Sequence, residues 1–168
     1  EITFEEIHRN NIIVYAIMQF SRVTGNKEYI AYYGLEVMIA ISRFWSQRVS
    51  FSEARQKYVL LGVTGPNEYE NNVNNNWYTN YSCVQCLQST IECLEMVAHE
   101  YPEEYNRIRR STEFRHAEET ARWKEIIDKM YLPEDKERGI FVQDDGYPDK
   151  VLGTVNDIPV NERPINQH

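Results

Sequence analysis

Apolar residues recur at helical spacing from the start of the chain, and this spacing predicts a helix over residues 4–24. Thr3 followed by Glu6 is a capping-box pattern that favours a helix beginning there, and Gly25 is a typical helix stop. The predicted apolar stripe consists of Phe4, Ile7, Ile12, Ala16, Ile17, Phe20 and Val23.

Two further long helices are predicted, over about 27–49 and about 78–100. The first of these is apolar on nearly every side. A helix without a polar face is covered by other elements on more than one side, so we expect it inside a helical assembly. The second carries its apolar residues on one side, namely Cys83, Val84, Leu87, Ile91, Leu94, Val97 and Ala98.

The helical pattern continues after a break at Pro102. Residues 103–109 are predicted to add a short helix. Thr112 is placed to cap another helix, over 113–131, which Pro133 ends. Several helices with almost no strand predict an all-α fold.

The remaining segments are predicted to be short or irregular. Tyr58-Val59-Leu60-Leu61 is predicted to form a short extended segment, and 132–168 is a proline-rich tail. Within the tail, Ile140-Phe141-Val142 favours a brief strand and Asp145-Gly146 favours a tight turn. The length fits one domain, mostly helical over 1–131.

The connection over residues 62–77, GVTGPNEYENNVNNNW, is long for a simple linker and has an unusual composition. Its glutamates could donate protons, its asparagine amides could bond sugar hydroxyls, and its aromatic rings offer flat surfaces for sugars. The same residues are also typical of a surface turn, because Asn tolerates left-handed backbone. On residue types alone, a binding loop and a structural loop both stay open.

Two glutamates in this loop are candidate proton donors. A glycosidic bond breaks only if the leaving oxygen is protonated, and a carboxylic acid held on a turn can do this. Glu68 follows Gly65-Pro66-Asn67, where the fixed φ of Pro66 restricts the chain. Glu70 would point elsewhere if the segment is extended, because side chains alternate there. For either glutamate, the alternative is a solvated loop charge.

The charge balance excludes two classes of partner. There are 18 basic and 26 acidic side chains, a net charge of −8, whereas nucleic acids and anionic membranes attract basic proteins. No apolar run approaches the roughly 18 residues of a membrane span. His8 has no second His one helical turn away, which favours a structural hydrogen-bond network over a metal site.

The three cysteines are predicted to be packing residues. Cys83, Cys86 and Cys93 follow the buried side of one predicted helix, and no second pair or His cluster completes a zinc site. Reduced thiols favour a cytoplasmic protein.

Three separated segments resemble one enzyme family. Gly65-Pro66-Asn67-Glu68-Tyr69, followed by asparagines and Tyr78-Thr79-Asn80, resembles the catalytic-acid segment of the glycoside phosphorylases of family 65. Glu5-Glu6-Ile7-His8-Arg9-Asn10 and Glu162-Arg163-Pro164-Ile165-Asn166-Gln167 resemble further segments of that family. Its members include maltose, kojibiose, nigerose and trehalose phosphorylases, and this loop is most similar to that of the maltose phosphorylases.

The resemblance implies an (α/α)6 toroid, the six-hairpin glycosidase-like fold, of which residues 1–168 would form a part. It implies an inverting phosphorolysis in which Glu68 donates a proton to the interglycosidic oxygen while inorganic phosphate attacks the anomeric carbon. Asn67 and Tyr69 would contact the disaccharide substrate. The products would be β-glucose 1-phosphate and glucose, and no metal or organic cofactor is implied.

The resemblance also implies that several substrate- and phosphate-binding segments of the family lie outside this chain. We therefore expect this fragment to lack phosphorolysis by itself. We also expect it to self-associate through uncovered apolar helix faces, as a homo-oligomer. Two alternatives remain: an α-glucoside hydrolase on the same toroid, or a non-catalytic helical interaction module.

Overall fold

A computed structural model describes residues 2–150 and 153–162. Over these residues the chain is mostly helical, as predicted. The helices are α1 (Arg9–Thr24), α2 (Leu35–Arg48), α3 (Trp77–Glu100), α4 (Pro102–Ser111) and α5 (His116–Lys129). Two antiparallel hairpins accompany them, β1 (Ser50–Ser52) with β2 (Lys57–Val59) and β3 (Glu134–Asp135) with β4 (Ile140–Phe141).

Short helical turns complete the described structure. A π-helical turn, Ile30–Gly34, runs directly into α2, and 3-10 turns lie at Ile2–Phe4, Tyr147–Asp149, Val155–Asp157 and Val160–Glu162. The segment predicted to resemble the family after Glu162 lies outside the described residues.

Helix α3 is the centre of the packing, with α1, α2, α4 and α5 all in contact with it. Ser42 of α2 donates a hydrogen bond to Thr90 of α3 at 2.8 Å inside this core. The three cysteines are buried and unpaired, which confirms that they are packing residues. The largest fully buried side chains include Leu35, Met38, Ile39, Trp45, Leu87, Leu94, Trp123 and Ile126.

The start of α1 differs from the prediction. The helix begins at Arg9 rather than at residue 4, and its N-cap residue, His8, makes no side-chain capping bond. The predicted Thr3–Glu6 capping box is wrong, because the Glu6 carboxylate pairs with Arg9 instead. The predicted stop at Gly25 is confirmed, with a left-handed φ of 71°.

The apolar stripe predicted for α1 is only partly buried. Ile17 packs into the core together with Val14. Ile12, Phe20 and Val23 are instead 49%, 45% and 83% exposed. These positions form an apolar surface on the outside of the described structure.

The start of α5 also differs from the prediction, which placed it after a Thr112 cap. The Thr112 hydroxyl donates to the Ile108 carbonyl at 2.7 Å and so closes α4. Glu119 supplies the missing cap: its carboxylate accepts the Arg115 N–H at 2.9 Å. With these two local hydrogen bonds, α5 starts at His116.

The two short extended segments are confirmed. Lys57–Val59 pairs with Ser50–Ser52, and Ile140–Phe141 pairs with Glu134–Asp135. In the tail, Asp144 accepts the Gly146 N–H at 3.0 Å on its side chain, which forms the turn predicted there.

Candidate active site

The long loop between β2 and α3 is closed at its base. Val63 and Val73 exchange backbone hydrogen bonds, each N–H donating to the other's carbonyl at 2.9 Å. Val63 is fully buried. The tip of the loop, residues 64–72, therefore starts and ends at fixed points.

The segment before α1 packs against this loop. The Glu5 carbonyl accepts the Thr64 N–H at 3.1 Å. The Glu5 carboxylate accepts the Thr64 hydroxyl at 2.7 Å and the Asn72 N–H at 2.8 Å. Two of the three segments that resemble the family are thus neighbours in space.

His8 takes part in the same contact as a structural residue, as predicted. It is buried, its Nδ1 lies 3.2 Å from the Thr64 carbonyl oxygen, and its ring meets that of Tyr78 edge-on at 5.6 Å between centroids. Burial lowers the pKa of His8, so the neutral imidazole is favoured.

Glu68 lies beside two residues of the N-terminal segment, Glu6 and Arg9. The Glu6 side chain is 2% exposed, and its Oε2 lies 2.6 Å from Nη2 of Arg9. This is an ion pair without an aligned N–H bond, since that oxygen accepts no hydrogen bond of good geometry. The Glu68 side chain is 42% exposed, and its Oε1 lies 3.8 Å from the same nitrogen.

The two carboxyl groups also interact electrostatically. Burial raises the pKa of Glu6, and the neighbouring Glu68 carboxyl raises it further, while Arg9 offsets part of the effect. The buried Glu6 carboxyl therefore lies where its charged form is disfavoured, beside the partly exposed Glu68.

Most asparagines of the loop hold its structure rather than presenting free amides. Asn74 accepts the Gly62 N–H at 3.1 Å on its side chain. Asn76 caps α3 by accepting the Thr79 N–H at 3.0 Å. The side-chain oxygens of these two residues thus support the backbone of the loop and of α3.

Close packing explains the glycine before Pro66. A Cβ at Gly65 would lie 2.5 Å from side-chain atoms of Asn76. Asn76 cannot move away easily, because its amide nitrogen also donates to the Gln143 carbonyl at 3.3 Å. The loop therefore approaches the start of α3 more closely than any other residue at 65 would allow.

The other predicted site residues take different positions. Asn67 donates to the Gln143 side chain at 3.1 Å, and its carbonyl accepts the Glu70 N–H at 3.1 Å. Tyr69 is 65% exposed. The Glu70 carboxylate is ion-paired with Lys150. Of the two candidate glutamates, it is Glu68 that the structure places beside the buried carboxyl and Arg9.

A cleft of about 350 Å³ lies next to this cluster. Trp77 lines it, and its ring packs on Phe141 at 4.6 Å and on Tyr81 at 4.8 Å between centroids. Aromatic faces of this kind suit the apolar faces of sugar rings. The residues that line the cleft are Pro66, Asn67, Asn76, Trp77, Tyr78, Phe141, Val142 and Gln143.

Sequence reasoning missed three residues of this region. Phe141 and Gln143 reach the cleft from the tail, and Glu6 reaches Glu68 from a segment predicted as helix. These residues are far from Glu68 or from the loop in the sequence, so no local pattern links them to the site. The adjacent Glu5-Glu6 pair before a polar helix start was the one available hint for Glu6.

The described structure gives little support for a metal site, a membrane span or a reactive cysteine. Residues 2–150 and 153–162 contain no cluster of three or more His, Cys, Asp or Glu placed to bind a metal ion. No helix within these ranges has the length and apolar character of a membrane span. Burial raises the pKa of Cys83 well above its ordinary value, and raises the pKa of Cys86 and of Cys93 to about 12.

Comparisons with known proteins show the family of the chain. The family model described as "Glycosyl hydrolase family 65 central catalytic domain" matches residues 1–168. The chain is 48% identical to maltose phosphorylase from Bacillus subtilis over 168 residues, which is 100% of this chain and 21% of the relative. It is 32% identical to kojibiose phosphorylase from Thermoanaerobacter brockii over 160 residues, 95% of this chain and 20% of the relative.

A solved structure is also similar. Its name is "Putative kojibiose phosphorylase from human microbiome", and it matches with a TM-score of 0.80 and 27% sequence identity. The match covers 93% of this chain and 22% of that one. The chain spans about a fifth of the length of the curated relatives it matches.

Proposed function

The chain belongs to glycosyl hydrolase family 65, and on this basis we propose that it carries the catalytic acid of an inverting disaccharide phosphorylase, with Glu68 as that acid. The observation that carries the proposal is the position of the Glu68 carboxyl. It is partly exposed, lies 3.8 Å from Nη2 of Arg9, which also pairs with the buried Glu6 carboxyl, and is adjacent in the chain to a residue of the aromatic cleft.

The proposed reaction balances as a displacement at the anomeric carbon. Glu68 gives its proton to the interglycosidic oxygen, and the electron pair of the breaking carbon–oxygen bond goes to that oxygen. A phosphate oxygen forms the new bond from the opposite face. Phosphate is already an anion, so no general base is needed, unlike an inverting hydrolase that must activate water. The products are β-glucose 1-phosphate and glucose.

Arg9 has a defined role in this step. When Glu68 loses its proton, a negative charge appears on a carboxyl group that already neighbours Glu6. The guanidinium 3.8 Å from Glu68 Oε1 stabilises that charge. The charges needed by the acid are thus supplied by this chain, and the proposal includes no metal or organic cofactor.

We favour maltose as the disaccharide, because identity to the maltose phosphorylase is 48% and to the kojibiose phosphorylase 32%. Asn67, in the lining of the cleft, is proposed to contact the substrate. Tyr69 is proposed to do so as well, since its ring is exposed beside Glu68 in the chain.

The complete fold, the oligomeric state and the cellular location are proposed on the same basis. The helices would form part of an (α/α)6 toroid, a proposal supported by the TM-score of 0.80 to a phosphorylase-like structure. Apolar residues exposed on α1 support a homo-oligomer or burial against further parts of the enzyme. The buried, unpaired cysteines support a cytoplasmic location.

A chimeric enzyme tests the reaction. The chain replaces the matching 168 residues of Bacillus subtilis maltose phosphorylase, and glucose release from maltose is measured with and without phosphate. We expect glucose only with phosphate. We expect Glu68→Gln to lower kcat/KM by about 10³-fold, since general acids contribute about 10²–10⁴-fold. The matched control Glu70→Gln should stay within about threefold, because Glu70 pairs with Lys150.

The other possible outcomes distinguish between the candidate functions. Equal glucose release with and without phosphate would identify a hydrolase. Full activity of Glu68→Gln, or no glucose from a folded chimera under either condition, would show that the proposed acid role or reaction is wrong. The 168-residue chain alone should release no glucose from maltose and phosphate, and detectable release would contradict its dependence on the rest of the enzyme.

A further inference from the structure

We propose that Gln143, a residue of the tail, is a positioning residue for the turn that carries Glu68: its side chain fixes the orientation of the Asn67 amide and, through it, the place of the acid. The inference rests on the proposed role of Glu68 as the acid. It assigns a function to a segment that the sequence alone presents as irregular.

The first step is the anchoring of Gln143 by its backbone. Its carbonyl accepts the Trp77 N–H at 2.8 Å and the Asn76 side-chain amide at 3.3 Å. The Trp77 N–H is one of the donors that the first turn of a helix leaves without a partner inside the helix, so this carbonyl helps to cap α3. Because α3 is the centre of the packing, Gln143 is held at a fixed place relative to the core.

The second step is the hydrogen bond between the loop and the Gln143 side chain. Nδ2 of Asn67 donates to Oε1 of Gln143 at 3.1 Å. Oδ1 of Asn67 accepts the Tyr69 N–H at 3.4 Å, which forms a turn of the kind that Asn side chains favour. Glu68 is the residue between Asn67 and Tyr69. One amide therefore spans the backbone of Glu68, and that amide is held by Gln143.

The third step is the direction of these hydrogen bonds. Nε2 of Gln143 donates to the Asp144 carboxylate at 3.4 Å, and Asp144 is 1% exposed. A carboxylate only accepts hydrogen bonds, and a backbone N–H only donates them. With the carboxylate at one end and the Tyr69 N–H at the other, the two amides between them have a single orientation in which every bond is made. Turning over one amide or both would place two donors or two acceptors against each other.

The fixed orientation has two consequences for the site. An amide nitrogen carries two N–H groups, so while one N–H of Asn67 donates to Gln143, the other would donate to a hydroxyl oxygen of the disaccharide. Glu68 also extends from a turn whose backbone cannot rotate freely, and a misplacement of about 1 Å in a reacting group can cost about 10²-fold in rate. Gln143 thus acts through Asn67 and not on the reacting atoms.

Two substitutions at Gln143 in the chimera test the hydrogen bond. Gln143→Met has a similar length but offers Asn67 no amide or carboxylate oxygen, whereas Gln143→Glu keeps an oxygen as acceptor. Both leave the backbone carbonyl, and so its contribution to the cap of α3, in place. We expect Gln143→Met to lower kcat/KM about tenfold and Gln143→Glu to stay within about threefold of the unsubstituted chimera. Gln47→Met, at an exposed position of α2, is the control and should stay within about twofold.

A double-mutant cycle and a measurement without activity show whether Gln143 acts through Asn67. In an Asn67→Ala chimera, adding Gln143→Met should change kcat/KM by less than about twofold, because the partner of Gln143 is already gone. Nitrogen-15 relaxation of the Asn67 side-chain NH2 group is measured in the 168-residue chain. We expect this group to be ordered in the wild type and in Gln143→Glu, and to move on the picosecond-to-nanosecond timescale in Gln143→Met.

The outcomes separate this inference from the proposed function. Equal losses in Gln143→Met and Gln143→Glu, additive losses with Asn67→Ala, or an Asn67 NH2 group equally mobile in every variant would overturn the positioning role. If Glu68→Gln abolishes turnover but Gln143→Met leaves it unchanged, only the inference about Gln143 fails. If Glu68→Gln retains turnover while NMR shows that Gln143 orders the Asn67 amide, the proposed function fails and the orientation of Asn67 by Gln143 stands.

Discussion

Leu60 and Asn75 are joined by a reciprocal pair of hydrogen bonds. The Asn75 N–H donates to the Leu60 carbonyl at 2.7 Å, and the Leu60 N–H donates to Oδ1 of Asn75 at 3.2 Å. Asn75 is 1% exposed and has a left-handed φ of 55°, which Asn adopts more readily than most residues. Its amide nitrogen donates to Asp145 at 2.7 Å, so one side chain joins the start of the loop, its end and the tail.

Asn75→Asp should destabilise the chain strongly despite its similar shape. It places a second carboxylate where an amide now donates to Asp145, in a buried site. We expect the free energy of unfolding at neutral pH to fall by about 2–4 kcal/mol, as for other lost buried polar partners. Urea unfolding measures it. Asn106→Asp on the exposed side of α4 is the control, and an equal change in both variants would contradict this account.

Gly65→Ala tests the close approach between the loop and α3. The new methyl group would meet the Asn76 side chain, which caps the helix, so either the cap or the loop must move. We expect a loss of about 1–3 kcal/mol in unfolding free energy, typical of overpacking and of lost caps. Gly146→Ala should change it by less than about 1 kcal/mol, because its nearest neighbour would lie at 3.6 Å. A similar loss in both would refute the steric explanation.

Sequence reasoning succeeded where the interactions are local and failed where they join residues far apart in the chain. Helix α3 was predicted to within a residue because its apolar spacing and its limits are local signals. The predicted start of α1 was wrong because Glu6 pairs with Arg9 and the Glu5 carboxylate bonds Thr64 and Asn72, more than fifty positions away, which a capping pattern cannot show. Long-range carboxylate contacts outweighed a local preference of about 1 kcal/mol.

The same distinction applies to the site. Glu68 stands in a compact motif, so the loop and its candidate acid were visible in the sequence. Gln143 and Phe141 were not, because they are brought to the cleft by the tail, which folds against the loop through Asn67, Asn76 and Trp77. Residue types left a binding loop and a structural loop both open, the family motif indicated a sugar site, and only the fold shows which side chains lie around it.

The ion pair between Arg43 and Glu119 gives a pH-dependent prediction. Burial alone would raise the pKa of Glu119, but two hydrogen bonds from Arg43, at 2.6 and 2.8 Å, and one from the Arg115 N–H lower it overall. A lowered folded-state pKa means that the native chain binds fewer protons than the unfolded one. This stabilisation is present above the ordinary pKa of 4.5 and is lost as the pH falls through the folded value.

Glu119→Gln should therefore cost about 1–3 kcal/mol of unfolding free energy at neutral pH, and the difference from wild type should shrink as the solution becomes acidic. Thermal or urea unfolding across pH measures this. Glu118→Gln is the control, because that carboxylate is 64% exposed and its pair with Arg115 is screened by solvent. A pH-independent cost for Glu119→Gln would argue against the ion pair as its cause.

The buried cysteines should resist alkylation while the chain is folded. Burial raises the pKa of Cys86 and Cys93 to about 12 and that of Cys83 well above its ordinary value, so almost no thiolate exists at mildly alkaline pH. We expect iodoacetamide to leave all three unmodified in buffer and to modify all three in urea, as counted by intact mass. Rapid labelling of any of them in the folded chain would show that α3 opens or packs differently.

The outer surface of α1 should drive self-association of the isolated chain. Ile12, Ile13 and Phe20 are 49%, 48% and 45% exposed and form a groove with Tyr29. Apolar patches of this kind seek partners. Sedimentation velocity over a wide concentration range should show assemblies larger than the monomer, and Ile12→Lys with Ile13→Lys should shift them to monomer. Val160→Lys, at a position 79% exposed elsewhere, is the control.

The effect of salt shows whether apolar or charged contacts drive this self-association. Each copy carries a net charge of −8, so copies repel one another at low ionic strength. Salt screens that repulsion but leaves apolar attraction in place. Self-association through α1 should therefore strengthen as salt is added. Dissociation by salt, or a monomer at every concentration, would show that charged surfaces rather than α1 govern how copies of this chain meet.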